Sequence, residues 1–445
     1  MSRADPAAAA GDETSATHRT IDAVWRIESA RIIAGVARMV RDLGVAEELA
    51  QDTLVVALQQ WPISGVPDNP GAWLTAAARN RALDWLRRGR LLQAKHEELG
   101  RELAVRDEIA TADAAEAADA ALDDEVGDDL LRLVFIACHP VLSPESRVAL
   151  TLRLLGGLST DEIARAYLVP EATVAQRIVR AKRTLTEARA PFEAPGGGEL
   201  AVRLSSVLEV LYLIFNEGYS ATAGEDWMRP QLCEEALRLG RILSQLMPAQ
   251  SEVWGLVGLM EIQASRLPAR TGPGGEPILL LEQNRARWDH LLIRRGLAAL
   301  ARAESLGSTL GPYALQGAIA ACHARAATAQ ETDWMRILAL YDALAQLAPS
   351  GVVELNRAVA LTMAFGPEAG LNAVDALAGV PALDGYHLLP AVRGDLLARL
   401  GRRDEAEAEF RRAASLTRNE RERHLLLTRA DACAGATPTV DPLSR

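Results

Sequence analysis

Hydrophobic and polar residues recur at helical spacing through the stretch GGLSTDEIARAYLVPEATVAQRIVRAKRTL, residues 156–185. Ser159 or Thr160 can cap a first short helix, with Glu162 in its first turn. The apolar face of this helix is formed by Ile163, Ala164 and Tyr167. Because the residue before Pro170 is disfavoured in the α-helical region, the first helix is expected to end there.

A second helix with separate apolar and polar faces is predicted after this proline. Its inward residues are Val174, Ile178 and Ala181, and its outward residues are Thr173, Gln176, Arg177, Arg180 and Lys182. A short helix, a tight turn and a second helix with a polar outer face are typical of a DNA-reading helix-turn-helix. Arginine pairs with guanine and glutamine with adenine in the major groove, whereas Lys182 and Arg183 suit phosphates. The alternative is an ordinary helical hairpin with a solvated basic face.

The same spacing predicts two helices further upstream. In VAEELAQDTLVVALQQWP, residues 45–62, the inward residues are Leu49, Leu54 and Leu58, and the outward residues are Glu47, Glu48, Gln51 and Asp52. Pro70 and Gly71 open the next helix, NPGAWLTAAARNRALDWLRRGR, residues 69–90. One side of it carries Leu74, Ala78 and Leu86, and another carries Asn80, Asp84, Arg87 and Arg88.

Charge is distributed unevenly along this chain of 445 residues, whose net charge is −11. Six basic residues and one acid between Arg79 and Lys95 give +5, and five basic residues and two acids between Glu171 and Arg189 give +3. Between these patches, Glu97–Asp129 holds thirteen acids and two arginines, a net charge of −11. Two basic helices joined by an acidic tether indicate interaction with partners rather than mere solubility.

The composition predicts an all-α protein of two to four domains, because 49% of the residues are hydrophobic and only 4% are aromatic. The four cysteines lie far apart, which favours free thiols in a reducing compartment. The first 19 residues lack the hydrophobic core of a signal peptide, and no apolar run reaches the roughly 20 residues of a membrane span. We therefore expect a soluble cytoplasmic protein with no membrane association.

Two of these segments resemble parts of the bacterial sigma factors. The acidic helix AEELAQDTLVVAL and the following P-x-AWL-x(3)-ARN-x-A-x-D-x-LRR pattern resemble region two. The helix-turn-helix with its lead-in LSPESRVALTLRLLGGLSTDEIA resembles region four, and nothing between them resembles region three. The first 190 residues thus resemble an extracytoplasmic-function (ECF) sigma factor of the sigma-70 family.

This resemblance implies core RNA polymerase and promoter DNA as partners. The β′ coiled coil of polymerase is expected to meet Glu47, Glu48, Gln51 and Asp52, and the β flap is expected as a further contact of polymerase. The upstream promoter box is expected to be read as duplex by Thr173, Gln176, Arg177, Arg180, Lys182 and Arg183. The downstream box is expected to be read as single strand by Asn69, Trp73, Arg79, Asn80, Asp84, Arg87 and Arg88. The core position is favoured for Trp73, while for Trp85 core packing and base stacking stay equally open.

The remaining 235 or so residues follow a Pro/Gly linker, APFEAPGGGEL. Their small and large apolar residues match the spacing of tetratricopeptide repeats, whose unit is about 34 residues. The matching sets are Ala236, Gly240, Leu243 and Pro248; Ile337, Tyr341, Leu344 and Pro349; and Gly394, Leu397, Gly401, Ala406, Phe410 and Ala413. We expect a C-terminal α-solenoid of tetratricopeptide-like hairpins with a concave face, and a class of these sigma factors carries such an extension.

Two C-terminal stretches depart from the repeat pattern, LYLIFNEGYSA and LLLEQNRARWDHLLIRRG. Their polar residues are Asn216, Glu217, Glu282, Arg285, Trp288 and Asp289. Hydrogen bonds that fix helix contacts are the favoured interpretation, and a ligand or partner site is the alternative. Cys138–His139 suggests a metal pair, but core packing is preferred because no companion Cys or His is near in sequence. No metal and no cofactor is expected.

The predicted domains are a disordered tail (1–19), region two (20–95), an acidic linker (96–129), region four (130–190), a Pro/Gly linker (191–199), the repeat domain (200–433) and a tail (434–445). The acidic linker either mimics nucleic acid in the polymerase or is a plain extended spacer. The preferred function is promoter recognition for RNA polymerase, with the repeat domain as a regulator that an anti-sigma or effector protein can bind. The alternative is a conventional helix-turn-helix regulator with a repeat-based sensor. An enzyme is not expected, because the sequence has no GxSxG, P-loop or HExxH motif.

Overall fold

Helices build most of the chain in the computed structural model, which describes residues 6–100, 122–307 and 309–435. These residues form eighteen α-helices and two strands of two residues each, so the predicted all-α fold is confirmed. The chain divides into two compact units, Met1–Val210 and Leu211–Arg445.

The first unit contains seven helices and the start of an eighth. They are α1 Pro6–Val40, α2 Leu43–Ser64, α3 Pro70–Gly100, α4 Leu122–Ala137, α5 Pro144–Leu154, α6 Thr160–Tyr167, α7 Glu171–Glu187 and α8 Glu199–Tyr219. Helix α1 packs against α2, α3 and α4, and α5 packs against α7. Asp42 caps α2 by accepting a hydrogen bond from the Val45 amide at 2.9 Å.

The helix-turn-helix forms where the sequence predicts it. Ser159 caps α6: its hydroxyl accepts from the Glu162 amide at 3.1 Å, and the Glu162 carboxylate accepts from the Ser159 amide at 2.8 Å. The chain leaves α6 at Leu168, which has a left-handed φ of 50°, and α7 begins after Pro170. The predicted inward residues Val174, Ile178 and Ala181 are all buried. Both helices are therefore held by local capping and by one apolar face.

The inner face of α2 differs from the prediction. Leu49 and Leu54 are half-buried and Leu58 is 38% exposed. The residues that face the core are instead Ala46, Ala50, Thr53, Ala57 and Trp61. These residues recur every three or four positions and most are small, so α1 and α2 can approach closely. The leucines are larger, but the phase of the alanines determines which face of α2 is buried.

Three predicted boundaries also differ. Helix α1 begins at Pro6, so the expected disordered tail, 1–19, is helical from that residue. Helix α3 continues to Gly100 and α4 starts at Leu122, so both ends of the expected linker 96–129 are helical, and residues 101–121 lie outside the described residues. The first unit continues to Val210, inside α8 and beyond the predicted linker 191–199. Most of the predicted C-terminal tail lies outside the described residues.

The second unit is a succession of helices that pack mainly on their neighbours in sequence. They are α9 Pro230–Leu246, α10 Ser251–Ala264, α11 His290–Leu306, α12 Pro312–Arg325, α13 Trp334–Leu347, α14 Gly351–Phe365, α15 Pro367–Asp375, α16 Leu388–Arg399, α17 Arg403–Leu416 and α18 Glu420–Ala434. A long irregular segment separates α10 from α11 and contains three short 3-10 turns, Leu267–Ala269, Leu280–Glu282 and Arg285–Arg287. A fourth turn is Pro381–Leu383.

The α16–α17 hairpin matches the predicted repeat spacing. A Cβ at Gly394 would lie only 3.0 Å from the Phe410 ring, so glycine lets the two helices approach there. Phe410 is 1% exposed, and Ala406 and Ala413 beside it are fully buried. Gly401, with a φ of +76°, makes the turn between the helices. The tetratricopeptide-like character of the second unit is thus carried by close helix pairs.

The two ends of the second unit meet. Strand β1, Ala223–Gly224, pairs in parallel with β2, Arg418–Asn419. The buried side-chain amide of Asn419 donates to the carbonyl oxygens of Ala221, at 3.0 Å, and Asp226, at 2.8 Å. The repeat therefore closes on its own beginning, a feature that helical periodicity does not predict.

Candidate nucleic-acid interface

The polar face of α7 is the predicted reader of duplex DNA. Gln176, Arg180 and Arg183 are exposed, whereas Thr173, Arg177 and Lys182 are half-buried. The Arg183 guanidinium donates to Glu187 on the same helix at 2.6 Å, and its side chain remains 76% exposed. Exposed pairs of this kind contribute little stability, so the Arg183 guanidinium can exchange Glu187 for another anion.

The polar side of α3 is the second predicted DNA surface. The exposed residues there are Asn69, Arg79, Asn80, Asp84, Arg87 and Arg88. The Asn69 side chain caps the helix by accepting from the Ala72 amide at 3.1 Å. Trp73 is half-buried and meets Trp61 edge to face, with ring centroids 5.4 Å apart, so its ring packs against the core as favoured. Trp85 is 40% exposed.

The acidic face of α2 is not wholly exposed. Glu48 and Asp52 are exposed, and Asp52 lies 3.6 Å from Arg81. Glu47, predicted to point outward, is only 5% exposed because α5 and α7 carry two basic residues onto it. Its carboxylate accepts from Arg153 Nε at 2.7 Å, accepts from Gln51 Nε2 at 2.8 Å, and forms an ion pair with Lys182. The outward assignment of Glu47 is therefore wrong for this conformation.

The charges around Glu47 determine its protonation. Burial alone would raise the pKa of this carboxyl, but the positive charge of Lys182 and its hydrogen bond, followed by those of Arg153, outweigh burial and lower the pKa. Glu47 is thus a buried carboxylate that joins α2 to α5 and α7. We refer to Glu47, Arg153 and Lys182 as the ionic junction.

Helix α8 is attached to the helix-turn-helix unit by buried arginines. Arg147 of α5 donates to Ser206, at 2.5 Å, and to Glu209, at 2.8 Å. Arg203 of α8 donates to the Phe135 carbonyl at 3.0 Å, and the Ser206 hydroxyl donates to the Cys138 carbonyl at 2.6 Å. The chain beyond the Pro/Gly linker therefore completes the first unit.

Cys138 belongs to this core. It is 1% exposed, and its sulfur lies 3.3 Å from the Thr151 hydroxyl. Burial raises the pKa of the thiol to about 11, so it is protonated at neutral pH. Across the described residues, no group of three or more His, Cys, Asp or Glu is placed to hold a metal ion.

Several candidate residues of the second unit have structural partners. The buried Glu217 accepts from Thr222 Oγ1 at 2.9 Å and forms an ion pair with Arg229. Asp289 caps α11 by accepting from the amides of residues 291 and 292. Arg285 donates to the carbonyl oxygens of residues 323 and 326 at the end of α12. Trp288 is 4% exposed, Glu282 is exposed and Asn216 is half-buried. The contacts of Glu217, Asp289 and Arg285 fix the ends of helices and the turn after α8.

Three family profiles match successive parts of the chain. They are "Sigma-70 region 2" at residues 27–91, "Sigma-70, region 4" at residues 132–185, and "Family of unknown function (DUF6596)" at residues 203–304. The first two cover α2, much of α3 and the helix-turn-helix. The third covers most of α8, all of α9 and α10, the irregular segment and most of α11.

Curated relatives match either most of the chain or somewhat more than a third of it. An uncharacterised protein of Rhizobium meliloti (strain 1021) is 42% identical over 91% of this chain and 93% of its own. The probable ECF RNA polymerase sigma factor SigI of Mycobacterium tuberculosis is 29% identical over 39% of this chain and 56% of its own. The ECF RNA polymerase sigma factor SigK of Mycobacterium ulcerans is 28% identical over 35% of this chain and 78% of its own.

Among solved structures, yeast Tom70 aligns with 95% of this chain and 86% of its own, at 12% identity and a TM-score of 0.36. A likeness at this level supports no conclusion. Over the part of the chain that the structure describes, every helix is too short or too polar to cross a bilayer.

The ionic junction predicts a pH-dependent contribution to stability. Because the folded pKa of Glu47 is lowered from about 4.5, the contribution is complete above that value and is lost as the pH falls through the folded pKa. We expect Glu47→Gln to reduce the free energy of unfolding at pH 7 by roughly 1.5–3 kcal/mol, the range for hydrogen bonds to charged groups. The deficit relative to wild type should shrink below pH 4.5, as measured by urea unfolding.

Glu48→Gln is the matched control, because Glu48 is the exposed neighbour on the same helix. It should change the free energy of unfolding by no more than about 0.5 kcal/mol at either pH. Equal effects of the two substitutions at pH 7 would mean that the junction does not stabilise the unit.

Proposed function

We propose that this chain, which belongs to the ECF group of the sigma-70 family and carries an additional C-terminal helical region, binds core RNA polymerase and starts transcription at promoters with two boxes. Proteins of this family are initiation factors and not enzymes. The observation that carries the proposal is the pair of exposed basic helix faces, on α3 and on α7, each inside the segment that matches a DNA-binding sigma region.

The α7 face suits the upstream box as duplex. Gln176 and Arg177 provide the side chains that can form paired hydrogen bonds with adenine and guanine edges. Arg180 and Arg183 extend the same face with positive charge for phosphates. Pro170 and the left-handed Leu168 set the angle at which this helix leaves α6, and hence how it can enter a groove.

The α3 face suits the downstream box as single strand. Its exposed arginines, Arg79, Arg87 and Arg88, can follow a phosphate backbone, and Asn80 lies among them on the exposed side. Unstacking a base costs a few kcal/mol, which pocket and backbone contacts must offset. Trp85, at 40% exposure, offers an aromatic face for stacking, whereas Trp73 already packs on Trp61.

Polymerase binding would use the acidic face of α2. Glu48 and Asp52 are available there in this conformation, with Gln51 half-buried beside them. Glu47 is covered by α5 and α7, and Lys182, assigned to phosphate contact, is its ion-pair partner. We therefore propose that the ionic junction breaks when the chain joins polymerase, so that both residues become accessible together.

The alternative is a conventional helix-turn-helix regulator with a sensor domain. That alternative does not account for a second basic helix, α3, directly after the acidic helix α2. We place the protein in the cytoplasm, with no cofactor, since polymerase and promoter DNA are there. The acidic linker is either a nucleic-acid mimic or an extended spacer, and its central residues lie outside those described.

Transcription by reconstituted holoenzyme tests this proposal. We expect Arg177→Ala to weaken promoter binding by about 1–3 kcal/mol and to relax specificity at one upstream position. Arg183→Ala changes a matched arginine on the same helix. It should weaken binding to all promoter sequences alike and reduce the slope of log K against log salt concentration by about one. Run-off transcription and binding titrations over a set of substituted promoters measure both effects.

Two results would contradict the assignment. If the holoenzyme gives no transcript from any genomic fragment, the proposed function itself is contradicted. Equal loss of specificity in both variants would leave the function but overturn the division of α7 into base-reading and phosphate-contacting residues.

The second unit is proposed as a regulator that supports activity. A fused domain acts at high effective concentration on the unit to which it is joined. Inhibition alone requires only one or two helices, whereas ten follow α8 among the described residues. The extra surface is available for polymerase, an effector or a separate anti-sigma protein.

A shortened chain that ends at Val210 tests this role, because that residue closes the first unit. We expect it to fold and accumulate normally and to lose transcription by about tenfold or more in a promoter–reporter assay. A chain that ends at Pro195 is the comparison, since it also removes the Ser206 and Glu209 partners of Arg147 and should be less stable. A stable chain ending at Val210 that is more active than full length would show that the second unit inhibits.

A further inference from the structure

The second unit buries an arginine without a negative partner. Arg266, just after α10, is only 6% exposed. Its Nε is a buried nitrogen without a hydrogen-bond partner. Arginine is almost never buried unless it is paired, because removing its charge from water costs several kcal/mol. The position of Arg266 therefore needs an explanation.

The surroundings of Arg266 are aromatic and basic. Its guanidinium carbon lies 5.6 Å from the centre of the Trp288 ring. The ionisable groups that most influence it are Tyr219, Arg270 and Tyr341, none of which is a carboxylate. A second cation, Arg285, lies 4.8 Å from the same Trp288 ring, on the carbonyl groups at the end of α12. Cation–π contacts offset part of the burial cost but supply no counter-charge.

Further unpartnered polar atoms occur beside this arginine. Trp288 Nε1 and His323 Nδ1 are both buried without a hydrogen-bond partner. His323 is 6% exposed, and burial together with the charges of Arg266 and Arg285 lowers its pKa to about 3, so it is neutral at physiological pH. Buried polar groups are usually satisfied, so several unpartnered polar atoms around one buried cation are the features expected of a polar binding site.

The buried carboxylates of the second unit have other partners. Glu217 pairs with Arg229, and Glu261 pairs with Arg241 through Oε1 while its Oε2 is buried without a partner. Glu252 accepts from the amides of Tyr313 and Ala314 at the start of α12. The described part of the unit thus offers Arg266 aromatic faces and hydroxyl groups but no acid.

We propose that Arg266 is the anchor of a binding site for a small organic anion, a carboxylate or phosphate attached to an aromatic or apolar group. The planar guanidinium would pair with the anion in two parallel hydrogen bonds, as arginine does with carboxylates and phosphates. The rings of Trp288 and Tyr341 would contact its apolar part, and their polar atoms would fix its orientation. The site lies within the second unit and does not depend on promoter recognition.

Thermal unfolding of the full chain in the presence of defined anions tests this site. Sodium benzoate and phenyl phosphate are the carboxylate and phosphate probes, with sodium chloride at equal ionic strength as the reference. A binding probe at a concentration of about five times its Kd should raise the Tm of the second unit by roughly 2–4 °C. The rise should be absent in Arg266→Met and intact in Arg302→Met, which removes an exposed arginine of α11.

A conservative variant separates recognition from folding. Arg266→Lys keeps the charge but not the planar fork, so it should retain less than half of the anion-dependent rise. Without added anion, Arg266→Met should keep or raise the Tm, because it removes an uncompensated buried charge. The proposal is overturned if neither probe raises the Tm of wild type more than that of Arg266→Met. Because polymerase and DNA are absent from this assay, its failure leaves the proposed function untouched.

Discussion

The arrangement of the first unit depends on one buried carboxylate. Glu47 is fixed between Arg153 and Lys182, and these residues belong to three helices far apart in sequence. A carboxylate at this depth is stable only while both cations remain, because a lone buried charge is costly. The same contact covers the acid expected to meet polymerase and occupies the lysine expected to meet DNA. Structure and proposed activity are therefore coupled through this junction.

Because of this long-range contact, helical periodicity predicted the helices but not which of their polar side chains are buried. The helix-turn-helix was predictable because its determinants are local: the Ser159–Glu162 capping box, Pro170, and three apolar residues in one phase. The exposure of Arg87 and Arg88 followed in the same way from the phase of α3. The outward prediction for Glu47 was wrong because the residues that bury it, Arg153 and Lys182, lie more than a hundred positions away. A single sequence does not reveal contacts at that separation.

The second unit shows the same limit. Gly394 and Phe410 could be paired from sequence because a small residue opposite a large one is the spacing of a repeat. The closure through Asn419 could not be predicted, since its partners lie almost two hundred residues earlier. Arg266 was also missed, because an arginine in a polar loop gives no sign of burial. That no carboxylate acts on Arg266 is evident only in the folded chain.

Distance measurements between the two sigma regions test the central claim most directly. Spin labels on Ile63→Cys and Arg165→Cys, both at exposed positions, report the separation of α2 from α6 in a Cys433→Ser background. The account predicts one short distance in the free protein, a longer one with core polymerase, and a mixture of the two in free Arg153→Gln. A long distance in the free wild-type protein, or an unchanged short distance with polymerase bound, would contradict it.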